Sequence, residues 1–265
     1  MKKILTTIIV LCVLLYLAAR SVPPAKNDTE LTVNPATTSP MPLGTESNPE
    51  QTKESPTLET EKPSSSYEIT FSSVKTYKNS IGTILGQIII EIENTGKSDL
   101  YLGIGNCDIE DTEGHLIACE DLSVYPQVIG HGEKAYYYEE MILDTISEPI
   151  DLKIIPRLDI KTSTSERISY PITDVNITDY KYGGVKVLGR VENNTNVEEP
   201  WFYIAIILFN EASEPIGLVT DVFFDDLAPG EKVGFEATPR SLPDEITADS
   251  VASYTAIAFP FQYQQ

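Results

Sequence analysis

At 265 residues, 41% of them hydrophobic, the chain has room for one or two domains with cores of their own. Its 40 acidic residues outnumber 19 basic ones, for a formal net charge of −21, and the surplus falls on both candidate folded parts: eighteen acidic against eight basic over 67–168, fifteen against five over 169–265. A surface of that sign repels polyanions, which argues against nucleic acid or anionic lipid as a partner.

The chain opens with Lys2-Lys3 and a sixteen-residue apolar run, Ile4 to Ala19. A basic start before such a run has the form of a secretion signal. As a helix the run is about 24 Å long, short of the ~30 Å hydrocarbon core. The shortfall favours a cleaved signal, with Ala19-Arg20-Ser21 as a small-x-small site. Arg20 at an interface would instead favour a retained anchor, and both readings of residues 1–21 stay open. Either one places residues 22–265 outside the cytoplasm, secreted or tethered to the membrane. Cys12 does not read as a lipoprotein cysteine, because Leu11 precedes it and it lies inside the apolar run. Residues 22–66 then hold eight prolines and fourteen Ser or Thr in forty-five positions. Such a composition buries too little apolar surface to offset chain ordering, so a disordered linker is expected.

The first candidate domain, 67–168, begins near Tyr67. Gln87 to Glu93 carries Ile88, Ile90 and Ile92 on one face, the period of two of a half-buried strand, and Asn94-Thr95-Gly96 ends it. Cys107 and Cys119 flank the turn Asp111-Thr112-Glu113-Gly114. If Glu110 faces Leu116 across that hairpin, counting back three places sets Cys107 opposite Cys119, within disulfide range, and a disulfide is expected. After Cys107, Asp108 to Glu113 packs four carboxylates into six residues. The calcium-loop pattern fails there, since Glu113 occupies the obligatory glycine position and no glutamate closes the loop, so a solvated acidic turn is expected. His115 and His131 sit in turns without ligand spacing and read as surface histidines. Tyr136-Tyr137-Tyr138 must put rings on both faces of a strand, so at least one is expected to be exposed or at a contact.

The second candidate domain, 169–265, is the clearer one. Val185, Val187, Gly189 and Val191 alternate with polar or longer residues, and Glu192 to Thr195 supplies turn formers. Trp201 to Phe209 is apolar at every position, which predicts a strand covered on both faces. Trp201 itself is expected in the core. Asn210 to Ser213 makes a turn and Pro215 to Phe224 returns. Pro229-Gly230 then fills the central positions of a type II turn. Asp221, Asp225 and Asp226 form a second acidic group.

Shifted by 99, Ile88, Ile90 and Ile92 fall on Val187, Gly189 and Val191, and Asp111–Gly114 falls on Asn210–Ser213. Ile129 to Lys134 falls on Leu227 to Lys232 within one residue. Three landmarks at one spacing predict two copies of one module. Short strands with Gly, Asn and Pro turns make the fold class all-β: two tandem antiparallel β-sandwiches of about seven strands each.

The sequence Gly189-Arg190-Val191-Glu192-Asn193, then Ile206-Ile207-Leu208-Phe209-Asn210, Pro215-Ile216-Gly217 and Leu227-Ala228-Pro229-Gly230-Glu231 with Phe235 resembles the FxLYD family. These are immunoglobulin-like domains of bacterial and archaeal extracytoplasmic proteins. Ile206, Phe209 and Asn210 replace the Phe, Tyr and Asp of the pattern. The resemblance is clearest over 170–265 and looser over 67–168. It implies an Ig-like fold and no activity.

No G-x-S-x-G elbow, phosphate-binding glycine loop or H-E-x-x-H is present, so no catalytic, cofactor or metal residues are expected. The expectation is a non-enzymatic cell-envelope protein that works by contact with a protein or cell-surface partner. A passive spacer and a calcium-dependent binder are the alternatives.

Overall fold

A computed structural model of the chain describes residues 66–260, so the expected signal over 1–21 and all but the last residue of the linker over 22–66 lie outside the described residues. Among the described residues no helix is long and apolar enough to cross a membrane. The alternating and all-apolar runs form antiparallel strands, and the fold is all-β. Residues 67–162 give β1 (Tyr67–Lys78), β2 (Ile84–Asn94), β3 (Leu100–Leu102), β4 (Gly105–Asp111), β5 (Leu116–Tyr125), β6 (Val128–Ile129), β7 (Lys134–Ile142), β8 (Leu152–Arg157) and β9 (Ile160–Thr162). Residues 172–260 give β10 (Ile172–Asp179), β11 (Val185–Glu192), β12 (Phe202–Phe209), β13 (Pro215–Phe223), β14 (Lys232–Ala237) and β15 (Ser253–Pro260).

The N-terminal half forms a six-stranded sheet in the order β1-β2-β7-β5-β4-β8 and a small sheet β6-β3-β9. The C-terminal half forms the sheets β10-β11-β14 and β13-β12-β15. Instead of about seven strands per copy there are nine and six among the described residues. The small sheet makes the difference. Its Leu100–Ile129 pair survives in the C-terminal half as the isolated bridge Glu199–Leu227.

Each half has its own core, sandwich-like in its layering. In the first, Ile88, Ile90 and Ile92 of β2 meet Leu100, Ile109, Leu122 and Tyr137; in the second, Val187 and Val191 of β11 meet Phe202, Ile204, Ile206 and Phe235. Close packing leaves no spare volume there. A Cβ on Gly189 would stand 2.5 Å from the Phe235 ring, which lies over it across the β11–β14 pair. Gly189→Ala therefore costs about 1–3 kcal/mol by overpacking. A urea midpoint unchanged from wild type would contradict this.

The duplication is visible in the hydrogen bonds. Asn94 and Asn193 are both 0% exposed. Asn94 Nδ2 donates to the carbonyls of Ser98 and Ile129 at 3.0 and 3.1 Å. Asn193 Nδ2 donates to those of Val197 and Leu227, both at 2.8 Å. The glutamate after each turn glycine accepts a backbone N–H three residues back: Glu133 from Gly130, Glu231 from Ala228. Gly132 and Gly230 take positive φ of 74° and 75° in those turns, where a side chain would be strained. The hairpins agree too. Asp111 Oδ1 accepts the N–H groups of Glu113 and His115, as Asn210 Oδ1 accepts those of Ala212 and Glu214. One construction occurs twice.

Candidate contact surface

The chemistry-bearing turns satisfy themselves. Asp111 spends one carboxylate oxygen on the two backbone N–H groups of its own hairpin, and its other oxygen lies 3.0 Å from His115 Nδ1. The backbone N–H of His115 foremost holds the Asp111 carboxyl below the usual carboxylate range. Asp108 pairs with the Arg157 guanidinium, which lowers its carboxyl likewise. Asp221 accepts the N–H of Val222 at 2.9 Å, and burial raises its carboxyl. His131 Nδ1 lies 2.8 Å from the Gly96 carbonyl oxygen. Among the described residues no three His, Cys, Asp or Glu converge on one point.

The disulfide expected between Cys107 and Cys119 does not form: both are free thiols. Glu110 does face Leu116, but a bulge at the next step pairs Ile109 with Ala118. That one-residue slip sets Cys107 against Glu120 and Cys119 against Asp108, on opposite faces of the hairpin. Cys107 is 0% exposed in the core, where burial pushes its thiol up to about 11. Cys119 is exposed, with its Sγ donating to Asp108 Oδ1 at 3.2 Å. Of these two, Cys119 alone should react with a water-soluble maleimide in the folded protein, and Cys107 only after denaturation. Equal labelling of both in the folded state, or of neither until a reductant is added, would contradict the register.

Tyr136, Tyr137 and Tyr138 are all buried. Tyr137 points into the N-terminal core, where its hydroxyl donates to the Gly103 carbonyl at 3.1 Å. Tyr136 and Tyr138 point the other way, against the C-terminal half. There they join Ile89, Ala205, Ile207 and Leu218 in a third apolar cluster. The contact expected of this tyrosine run is thus made within the chain.

Polar groups rim this junction. Tyr77 donates its hydroxyl to Ser241 Oγ at 2.9 Å, and Lys75 pairs with Glu245 at 2.5 Å. Glu140 accepts the Tyr138 hydroxyl and, at 2.6 Å, the Ser241 backbone N–H. Burial pushes the Glu140 carboxyl up to about 7, against the lowering effect of those two bonds. Nothing in the sequence around Glu140 singled it out from the other acidic residues.

Trp201 is not in the core, as expected of it, but half-buried on the outer face of its sheet. β12 starts one residue later, so strand parity gives Phe202 the inner place. Phe202 is 0% exposed and stacks on Phe223 at 5.1 Å. Trp201 then shares the outer face with Tyr203, their ring centroids 6.1 Å apart. Tyr203 stacks on Phe259 at 5.7 Å and meets Tyr125 of the N-terminal half edge-on at 6.3 Å. Phe224, 76% exposed, follows the strand paired with β12, and Ile104, 70% exposed, flanks Tyr125. Ile104, Tyr125, Tyr203 and Phe259 enclose a depression of about 150 Å³. Both halves thus contribute rings to one aromatic cluster, Trp201, Tyr203 and Phe259 from one and Tyr125 from the other. Such a surface can bury apolar area against a partner and supply ring faces and hydroxyl groups for orientation.

Compared with known proteins, the chain matches no family model, and no curated protein matches it.

Proposed function

We propose that this chain is a non-enzymatic, extracytoplasmic contact protein built from two tandem immunoglobulin-like modules of the FxLYD type. The N-terminal segment exports or tethers it, and the Pro/Ser/Thr-rich linker holds the modules away from the envelope. The repeated Asn and turn-glycine network supports the tandem reading. It accounts for the Asn193 and Leu227–Glu231 positions of the family pattern as structural residues.

The observation that carries the contact reading is the aromatic surface of Trp201, Tyr203, Phe224, Tyr125 and Ile104. The half-buried rings clustered at Trp201, Tyr203 and Tyr125, together with the exposed Phe224 and Ile104, make the candidate patch that a partner would cover. The partner is a protein or another component of the cell surface. The acidic surface argues against nucleic acid.

The test is co-sedimentation of the chain with envelopes from the producing cell. The Trp201→Ser, Phe224→Ser double variant should lose most of the wild-type binding while keeping the wild-type melting midpoint. Undiminished sedimentation, or no sedimentation of wild type, would leave a passive spacer as the better reading.

A further inference from the structure

We propose that the outer edge of β15 takes up an extended, basic segment of a partner polypeptide as an added strand. This site adjoins the aromatic surface at Phe259, which lines both. β15 is the last strand of its sheet and pairs along its whole length with β12 on one side only. On the other side Tyr170 donates its N–H to the Ala258 carbonyl at 2.8 Å. The chain does not continue that pairing. Pro171 has no N–H, and from Ile172 the backbone turns away to pair with β11. Outward-facing residues alternate along an antiparallel strand, so the N–H and C=O groups of Ala256 and Tyr254 face the same open side as those of Ala258.

The space in front of this edge is a cleft of about 650 Å³. Tyr170, Pro171 and Ile172 form one wall, Thr255 to Phe259 the other, and Ile129 and Tyr136 of the N-terminal half also line it. The volume is in the range of sites that hold a few residues of ligand.

A comparison of the two copies shows that the opening is not a general property of the construction. In the N-terminal half the corresponding edge strand, β8, carries Lys153, Pro156 and Arg157, the residues that ordinarily keep an edge from pairing. The segment just before it is tied to β1, where Thr76 Oγ1 donates to the Ile150 carbonyl at 2.8 Å. β15 reads Ser-Tyr-Thr-Ala-Ile-Ala-Phe-Pro, with no charge and no proline before its last residue. Its edge lacks the lysine, arginine and mid-strand proline of its counterpart, and is tied only by the Tyr170–Ala258 bridge and, ahead of the strand, the Asp179–Ala248 bond among the described residues.

Charge selects the occupant. The two cations at the cleft are already paired, Lys134 with Glu91 at 2.5 Å and Arg167 with Glu133 at 2.6 Å. Glu199 stands behind the Tyr170 wall, accepting the tyrosine hydroxyl at 2.6 Å. Past Tyr254, Asp179 accepts the N–H of Ala248 at 2.8 Å. Residues 169–265 carry fifteen acidic against five basic side chains, so a second copy would be repelled and a basic strand attracted. Main-chain bonds to β15 would supply the docking and lysine or arginine side chains the selectivity.

The test is amide hydrogen exchange over 253–260 in the full chain, with a synthetic peptide of about ten residues alternating lysine and valine. Two control peptides are the same sequence N-methylated at alternate residues and a glutamate-for-lysine version. The lysine peptide should slow exchange at Tyr254 and Ala256, beyond the Tyr170–Ala258 bridge, by about tenfold, and neither control should do so. Ala256→Pro removes an outward donor and should abolish the protection. Thr255→Lys keeps every backbone donor, adds like charge and should weaken the protection. The Trp201→Ser, Phe224→Ser variant should keep it in full, which separates this site from the aromatic surface. Equal protection by the N-methylated peptide would reduce the effect to charge. Protection that rises with protein concentration alone would make the occupant a second copy, and no protection would remove the site.

Discussion

Asn193→Ala should lower stability by about 2–4 kcal/mol. Asn193 is wholly buried, and its side chain holds two segments that have no strand ladder between them. Its Nδ2 donates to the carbonyls of Val197 and Leu227, and its Oδ1 accepts from the Thr195 N–H at 3.0 Å and the Thr195 hydroxyl at 2.7 Å. Alanine leaves the half-buried Thr195 N–H without its acceptor and the Leu227 carbonyl with the Glu199 N–H alone, and a polar group left unsatisfied costs about 1–3 kcal/mol. Asn193→Asp keeps the shape but turns an acceptor toward two carbonyls and buries a charge, so it should be at least as damaging. Asn94→Ala should behave the same way in the N-terminal half, because Asn94 makes the equivalent bonds to Ser98, Ile129 and Gly96. Urea denaturation of the three variants measures this. A loss below about 0.5 kcal/mol for either alanine variant would remove the asparagines as the locks of the two copies.

The second large effect is a dependence of stability on pH to which one side chain, Glu140, contributes most. Glu140 has its carboxyl raised to about 7 by burial at the junction, from an ordinary value near 4.5. A raised carboxyl favours the folded state fully below about 4.5, and that advantage is lost as pH rises through about 7. The difference amounts to about 3 kcal/mol between the two ends, an upper figure because the site is not fully closed to water. Glu139 beside it is also raised by burial, in the same direction. Glu91 is net lowered: its burial is outweighed by the Lys134, Thr70 and Tyr136 hydrogen bonds. Its contribution is lost as pH falls through that lowered value, below the Glu140 window. The melting midpoint should therefore fall by several degrees between pH 5.5 and pH 8. Glu140→Gln, which keeps an acceptor for the Ser241 N–H, should flatten most of that slope and be the more stable protein at pH 8. Parallel pH profiles for wild type and variant would contradict the assignment.

Much of this construction was legible in the sequence because its strands announce themselves by period and its turns by chemistry. The all-apolar run 201–209 predicted a strand covered on both faces. β12 is covered by the C-terminal core on one side and the third cluster on the other. Ala228-Pro229-Gly230-Glu231 predicted a type II turn, and Gly230 has the positive φ such a turn requires. The 99-residue offset pairs Asn94 with Asn193, whose side chains make the same bonds in the two halves.

What the sequence did not disclose depends on single-residue slips and on which neighbour covers a face. The bulge after Ile109 has no sequence mark, yet it moves Cys119 from a disulfide partner to an exposed thiol. Trp201 lies one residue before its strand, and that parity exchanges it with Phe202 between surface and core. The tyrosine run required a cover on both sides of β7, but no local pattern says that the second cover is the other half of the same chain. Glu140 is one acid among forty until Tyr138 and Ser241 close around it.

The measurement that bears most directly on the contact reading is photo-crosslinking in the producing cells, with a photoreactive amino acid placed at position 224, 104 or 116. Leu116, 59% exposed at the Asp111–Gly114 hairpin and not among the residues of the aromatic surface, serves as the control. The contact reading requires a discrete adduct from positions 224 and 104 and none from 116. Adducts equal at all three positions, or absent from 224 and 104, would mean that the aromatic surface meets no partner.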